Sequence, residues 1–366
     1  MIRAHKIRLY PNNKQATYFS KACGVARFAY NWALEEWKRR LEAGEKVTEG
    51  ALRKELNSIK REQFPWMLEV TKCAPQLAIK DDLNSAFRNY FAKRAGFPQF
   101  RKKGVNDRFS LSNDQFIIIE KAVRIPNLGW VRLAEEMRYD GKILGAAVSR
   151  TADKWYIAIQ VELPNMQTLT SENQAVGVDL GVTTLATLSD GTEIEGSKVS
   201  RQCDRKLRRL NQSLSRKKGA KKGEKKSSNF TKTKRKISRL YAKMANIRAD
   251  ETHKLTTMLT RNFGVIGIES LNVKGMMSNH KLARSVADMS FYEFRRQLGY
   301  KAETEGIKII VADQWFPSSK LCSLCGVIRD ELSLRERDWI CEHCGAYHNR
   351  DVNAAINLRN YALKSI

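Results

Sequence analysis

Four of the chain's seven cysteines fall in one short stretch, as Cys322-x-x-Cys325 and Cys341-x-x-Cys344 with fifteen residues between the pairs. No other feature limits the local fold so sharply. Each pair is followed by a glycine, Gly326 or Gly345, which permits the tight turn that aims backbone amides at the sulfurs. Four thiolates at this spacing match a tetrahedral structural Zn²⁺ site, so residues 317–347 are expected to fold as a zinc ribbon around one ion. His343 and His348 lie close by, and with four thiols available they read as bystanders rather than ligands. Paired cysteines of this kind fit a reducing compartment and a metal better than a disulfide framework.

Three carboxylates carry the second signal. Asp179 sits inside the apolar run Ala175–Leu188, which reads as a strand leading to a hairpin turn at Asp190-Gly191. A charge there is costly unless something pairs with it. Glu269 ends a second strand, Gly264–Glu269, and Asp351 opens a helix over residues 348–358 for which Asn349 is a suitable N-cap. Strand with hairpin, strand, then helix, each delivering one acid, is the layout of an RNase H-like α/β domain. Carboxylates from separate elements there meet at a sheet edge and hold two hard cations. Two Mg²⁺ in such a site activate water and stabilise the departing oxygen of a phosphodiester.

The N-terminal half reads differently. Residues 1–10 alternate as a short strand, and Phe19, Cys23, Ala26, Tyr30, Leu34 and Trp37 recur at helical steps as a core stripe. Helical spacing continues through Leu77, Ile79, Leu83, Phe87 and Phe91, and a basic loop, residues 96–104, closes this stretch. Strand patterns then run from Arg108 to Leu163. The simplest architecture is a small β-barrel or sheet module, residues 1–10 and 97–170, carrying a helical insertion over 11–96. The chain as a whole is then multidomain α/β.

Charge points to the partner. Sixty-six Lys+Arg stand against 39 Asp+Glu, a net +27 that calls for a polyanion. Residues 201–250 alone hold 19 of the cations and three acids. The flanks of that segment have helical apolar spacing, and its centre, residues 216–236, reads as a flexible, phosphate-binding stretch. No apolar run approaches the ~18 residues needed to span a membrane. The first residues also lack the apolar core of a signal peptide, so a cytoplasmic protein is expected, associated with the nucleoid when bound to DNA.

The segments GVDLGVTTLATLSDG, IGIESLNVKGM, FPSSKLCSLCG and CEHCGAYHNRDVNAAINL resemble the transposon-encoded TnpB family, compact relatives of type V CRISPR effector nucleases. KIRLYPNNKQ, ARFAYNWAL and GFPQFRKK extend the match to the N-terminus. The resemblance implies an RNA-guided DNA endonuclease. A transposon-derived guide RNA pairs with one DNA strand beside a short adjacent motif, and a single RuvC-like site cuts double-stranded DNA. Its catalytic acids fall on Asp179, Glu269 and Asp351, which would hold Mg²⁺, and its zinc ligands on Cys322, Cys325, Cys341 and Cys344. The RuvC-like domain would comprise residues 171–316 and 348–366, interrupted by the ribbon. The barrel would be a wedge domain and the helical insertion a recognition domain, together reading the adjacent motif. Candidate nucleic-acid contacts are Lys72, Gln76, Arg101, Lys102, Lys103, Lys217, Lys218, Lys221 and Lys222. Asn349 stands where the family usually has Asp, and Glu269-Ser270-Leu271 where Glu-Asp-Leu is common; neither change removes a member of the acid set. Two other readings compete: an RNA-guided repressor that binds without cutting, and a transposase acting directly on transposon ends. No helix-turn-helix or finger array is evident that would read a long duplex site unaided.

Overall fold

The computed structural model describes residues 1–164, 174–219, 225–333 and 335–366. They form two compact units, Met1–Asn165 and Met166–Ile366.

The first unit grows from β1 (Ile2–Tyr10), which buries His5, Ile7 and Leu9 on one face and turns Lys6 and Tyr10 to solvent. Asn12 then starts a helix through a capping box: its side chain accepts the Gln15 N–H (2.9 Å) and its own N–H donates to the Gln15 side chain (3.0 Å). The helix, α1 (Asn13–Glu42), buries the expected stripe from Phe19 to Trp37. After α2 (Glu49–Gln63), α3 (Cys73–Leu77) runs through one π turn, Ala78–Leu83, into α4 (Asn84–Phe91). Six strands follow: β2 (Arg108–Ser112), β3 (Ile117–Ile119), β4 (Ala122–Ile125), β5 (Gly129–Leu133), β6 (Lys142–Thr151) and β7 (Lys154–Glu162). They join β1 in a seven-stranded antiparallel sheet of order β2-β6-β7-β1-β5-β4-β3. The first strand therefore lies mid-sheet, paired with β7 from Ile2↔Glu162 to Leu9↔Trp155, and the helices are an insertion between β1 and β2. Among the described residues no ladder joins the two ends, β2 and β3, so the hydrogen bonding is that of an open sheet.

The second unit contains β8 (Ala175–Asp179), β9 (Ala186–Leu188), β10 (Glu193–Ile194), α5 (Val199–Ser215), α6 (Ser228–Asn262), β11 (Val265–Ile268), α7 (Val273–Ser278), α8 (Ala283–Met289), α9 (Phe291–Glu305), β12 (Lys308–Val311), β13 (Asp338–Ile340), β14 (Tyr347–Asn349) and α10 (Arg350–Lys364). Its main sheet has the order β10-β9-β8-β11-β12. Strands β8, β11 and β12 are parallel, and β9 and β10 are antiparallel additions beside β8. A separate pair, β13 and β14, belongs to the cysteine module.

Two expectations need correction. The run Ala175–Leu188 is not one strand: β8 stops at Asp179, and the chain turns and returns as β9, with Asp179 opposite Thr187. Gly181 makes the turn by donating its N–H to the Leu185 carbonyl (3.3 Å), and a β-carbon there would stand 2.8 Å from the Thr184 oxygen. Residues 228–236 of the basic segment are also more regular than their composition suggests. Ser227 caps α6 by accepting the Phe230 N–H (3.1 Å), and Phe230, Thr233 and Ile237 are buried, so residues 228–236 are helix. Leu240 and Met244 of α6 pack with Val199 of α5.

Candidate active site and zinc ribbon

Close backbone packing assembles the acids. Asp179 and Glu269 leave the same end of neighbouring parallel strands, one step beyond the paired Val178 and Ile268. Helix α10 lies directly on these two strands because each presents a glycine to it. A β-carbon on Gly177 would come within 1.8 Å of the Ala355 carbonyl oxygen, and one on Gly267 within 2.3 Å of that of Leu358. Asp351, one turn before Ala355, is thereby carried to the sheet end. Asn349 caps the helix as expected, accepting the N–H groups of Asp351 (3.1 Å) and Val352 (3.2 Å).

All three carboxylates are half-buried. Burial raises the Asp179 carboxyl well above the usual range, and the nearby charges of Glu269 and Asp351 raise it further, against partial relief from Arg350 and Arg337. Burial likewise pushes Glu269 up to about 7, with the Leu180 backbone amide acting in the opposite direction. Among the described residues, one group of metal-capable side chains has all its ligand atoms within 4.8 Å of one another, the cysteine quartet.

That quartet has the dimensions of a metal site. The sulfurs of Cys322 and Cys344 are 3.7 Å apart and those of Cys325 and Cys341 3.6 Å. A tetrahedral zinc with bonds of about 2.3 Å requires sulfur edges of about 3.8 Å. Both knuckles turn through glycines at positive φ, Gly326 (+75°) and Gly345 (+72°), whose N–H groups donate to Cys322 (2.9 Å) and Cys341 (2.8 Å) carbonyls. His343 is exposed. His348 is buried, rests on Trp339 (ring centroids 4.6 Å apart) and sets Nε2 3.1 Å from the Cys322 sulfur, a contact the sequence spacing did not reveal.

The predicted nucleic-acid contacts divide. Lys72, Lys102, Lys103 and Lys218 are exposed. Gln76 donates to the Asn57 side chain (2.8 Å), tying α3 to α2. Arg101 binds Asp82 (2.8 Å) and covers the Tyr30 ring (3.9 Å), which makes its guanidinium part of the local scaffold. Lys217 donates to Ser213 (3.1 Å) and Thr233 (2.7 Å). Lys221 and Lys222 lie outside the described residues. Of the two loop aromatics, Phe97 packs on Phe87 and Tyr90, whereas Phe100 is exposed.

Comparison with known proteins then places the chain. A protein of Streptomyces pristinaespiralis named "Putative RNA-guided DNA endonuclease" is 35% identical over 370 residues, spanning 97% of this chain and 88% of that one. This chain belongs to the TnpB family. A second relative, "Putative RNA-guided DNA endonuclease InsQ" of Escherichia coli (strain K12), is 34% identical over 98% of this chain and 91% of its own. Family profiles described as "Probable transposase", "Cas12f1-like, TNB domain" and "Helix-turn-helix domain" match residues 158–280, 291–358 and 1–46. Over the last range this TnpB member folds as strand β1 and the single continuous helix α1, not as two helices about a turn. The solved structure "Cryo-EM structure of the Cas12f1-sgRNA-target DNA complex" shares the fold with a TM-score of 0.62 at 14% identity, over 95% of this chain and 83% of that one. No helix among the described residues is long and apolar enough to cross a membrane.

Proposed function

We propose that this protein is an RNA-guided DNA endonuclease that takes a transposon-derived guide RNA and cuts double-stranded DNA beside a short adjacent motif. One observation carries the reading. Asp179, Glu269 and Asp351, far apart in sequence, come to the same end of one sheet, where burial raises the Asp179 and Glu269 carboxyls and the two neighbouring charges raise Asp179 further. Such a set of hard oxygen donors suits divalent cations. When bound, two Mg²⁺ would supply an activated water and stabilise the departing oxygen of the phosphodiester. The three carboxylates would hold them. The four cysteines would hold one structural Zn²⁺.

The remaining architecture fits this role. The mixed sheet with α10 across it would be the RNase H-like, RuvC-type nuclease domain, and residues 317–347 its inserted ribbon. The seven-stranded sheet would serve as the wedge module and the helices of 11–96 as the recognition module, with Lys72, Lys102 and Lys103 facing DNA. The α5–α6 hairpin would grip RNA or DNA backbone through its Lys and Arg side chains. Base pairing by the guide supplies sequence information that this scaffold lacks. The test is to copurify the protein with its RNA, exchange only the guide segment, and assay two plasmids that differ only in target. Cleavage should follow the guide wherever the flanking motif is present. Cleavage that ignores the exchange would replace the proposal with a sequence- or structure-specific nuclease, and guided binding without cutting would replace it with a repressor.

A further inference from the structure

The cysteine module is clamped to the acid-bearing helix at both of its ends. At its start, the buried Asn353 and Asn357 of α10 donate to the carbonyl of Leu321 (2.8 and 2.6 Å), Asn357 donates also to that of Ser318 (2.9 Å), and Asn353 accepts the Ser323 N–H (3.1 Å). At its far end, Arg350 donates its backbone N–H to the Arg337 carbonyl (2.7 Å) and its guanidinium to the Ser333 carbonyl (3.2 Å). Asp338 pairs with Asn349 as the first rung of the β13–β14 ladder. Arg337 therefore stands one residue before that rung, fixed by the ribbon, and its Nη1 reaches both carboxylate oxygens of Asp351, at 3.2 and 3.1 Å. The same guanidinium is one of the two cations that ease the Asp179 carboxyl.

We infer that Arg337 is a positioning residue, a cationic placeholder that the ribbon sets on Asp351 and that this carboxylate exchanges for a divalent ion when the acidic site loads. The inference rests on the proposed metal-binding role of the acids. Arginine suits the task because it stays charged at every working pH and its fork fits a carboxylate. The pair is half-exposed, 50% for Arg337 and 29% for Asp351, so the contact is weak enough for a cation to displace and strong enough to be measured. The ribbon then has a second use beyond stiffening the chain: its zinc fold sets how readily the acids accept metal.

The experiment is a Mn²⁺ titration of the full chain at pH 8 with zinc retained, following free Mn²⁺ by electron paramagnetic resonance. Arg337→Gln should bind Mn²⁺ roughly twofold to fivefold more tightly than wild type, the range an exposed ion pair of this kind opposes. Arg337→Lys should restore wild-type affinity. A zinc content of one per chain verifies that the ribbon is intact. If Mn²⁺ binding is lost in Asp179→Ala yet unchanged or weakened in Arg337→Gln, the placeholder is wrong and the metal site stands. If Asp179→Ala binds Mn²⁺ like wild type, the metal-site reading itself fails, and this inference with it.

Discussion

Replacing Glu269 with glutamine should stabilise the metal-free protein above about pH 4.5, with the gain growing up to about pH 7 and level beyond it. Its carboxyl is pushed from an ordinary value of 4.5 to about 7 because folding removes it from water. A raised folded-state value means the native protein holds the proton more tightly than the unfolded chain. The group's contribution to stability is therefore complete below about pH 4.5 and is lost as pH rises through about 7. At 1.36 kcal/mol per pH unit, a shift of that size costs the native state about 3 kcal/mol by pH 8. For a unit of about 200 residues this corresponds to roughly 6–12 °C in Tm. Glu269→Gln keeps the shape and removes the ionisation. In magnesium-free buffer with zinc retained, scanning calorimetry should give equal Tm values for variant and wild type at pH 4.5. At pH 8 the variant should unfold that much higher. Added Mg²⁺ should raise the wild type at pH 8 more than the variant. Equal Tm values at pH 8, or a gain confined to pH 4.5, would refute the burial argument.

Three further outcomes follow from the same geometry. Asp179→Ala should abolish cleavage while RNA and DNA affinity, measured by filter binding, stays near wild type, because it removes a proposed metal ligand and no phosphate contact. Gly177→Ala should cost more than about 3 kcal/mol in chemical denaturation, since its β-carbon would sit 1.8 Å from the Ala355 oxygen and the helix backbone has to retreat; a loss below 1 kcal/mol would show that α10 does not rest on that strand. Cys325→Ser should release zinc, read by elemental analysis, and loosen the ribbon; wild-type protein purified without zinc would overturn the metal assignment.

What the sequence disclosed, and what it hid, follows from interaction range. The cysteine pairs and their glycines were legible because four sulfurs that come together in space sit in two local turns. Asp179, Glu269 and Asp351 stood out because a charge at the edge of an apolar run is locally anomalous. The break between β8 and β9 was not legible, because Leu180–Leu185 is as apolar as the strands it separates and only tertiary pairing decides where pairing stops. Gly177 and Gly267 look like ordinary strand weaknesses until α10 is laid across them. Arg337 carries no local sign at all, since its partner lies fourteen residues away across the β13–β14 hairpin. Asn353 and Asn357 offered a hint, two amides one turn apart on an otherwise apolar helix face, that something polar had to meet them. Helix 228–236 was masked by lysine-rich composition, though Phe230 and Ile237 already carried its buried face.

The place of β1 in the first sheet has a consequence for biogenesis. Ile2 leaves the ribosome 160 residues ahead of its ladder partner, Glu162. At about 5–20 residues per second, translation delivers that partner roughly 8–30 seconds later. Until β5 is made β1 has neither of its neighbours, and its backbone amides and carbonyls are open on both sides to other chains. The helices α1 to α4 emerge first and satisfy their backbones locally, so the apolar stripe of α1 is available to shelter Ile7 and Leu9 before any sheet exists. Polysome crowding and the holdase chaperones that meet nascent chains should therefore affect the yield of this protein most through β1.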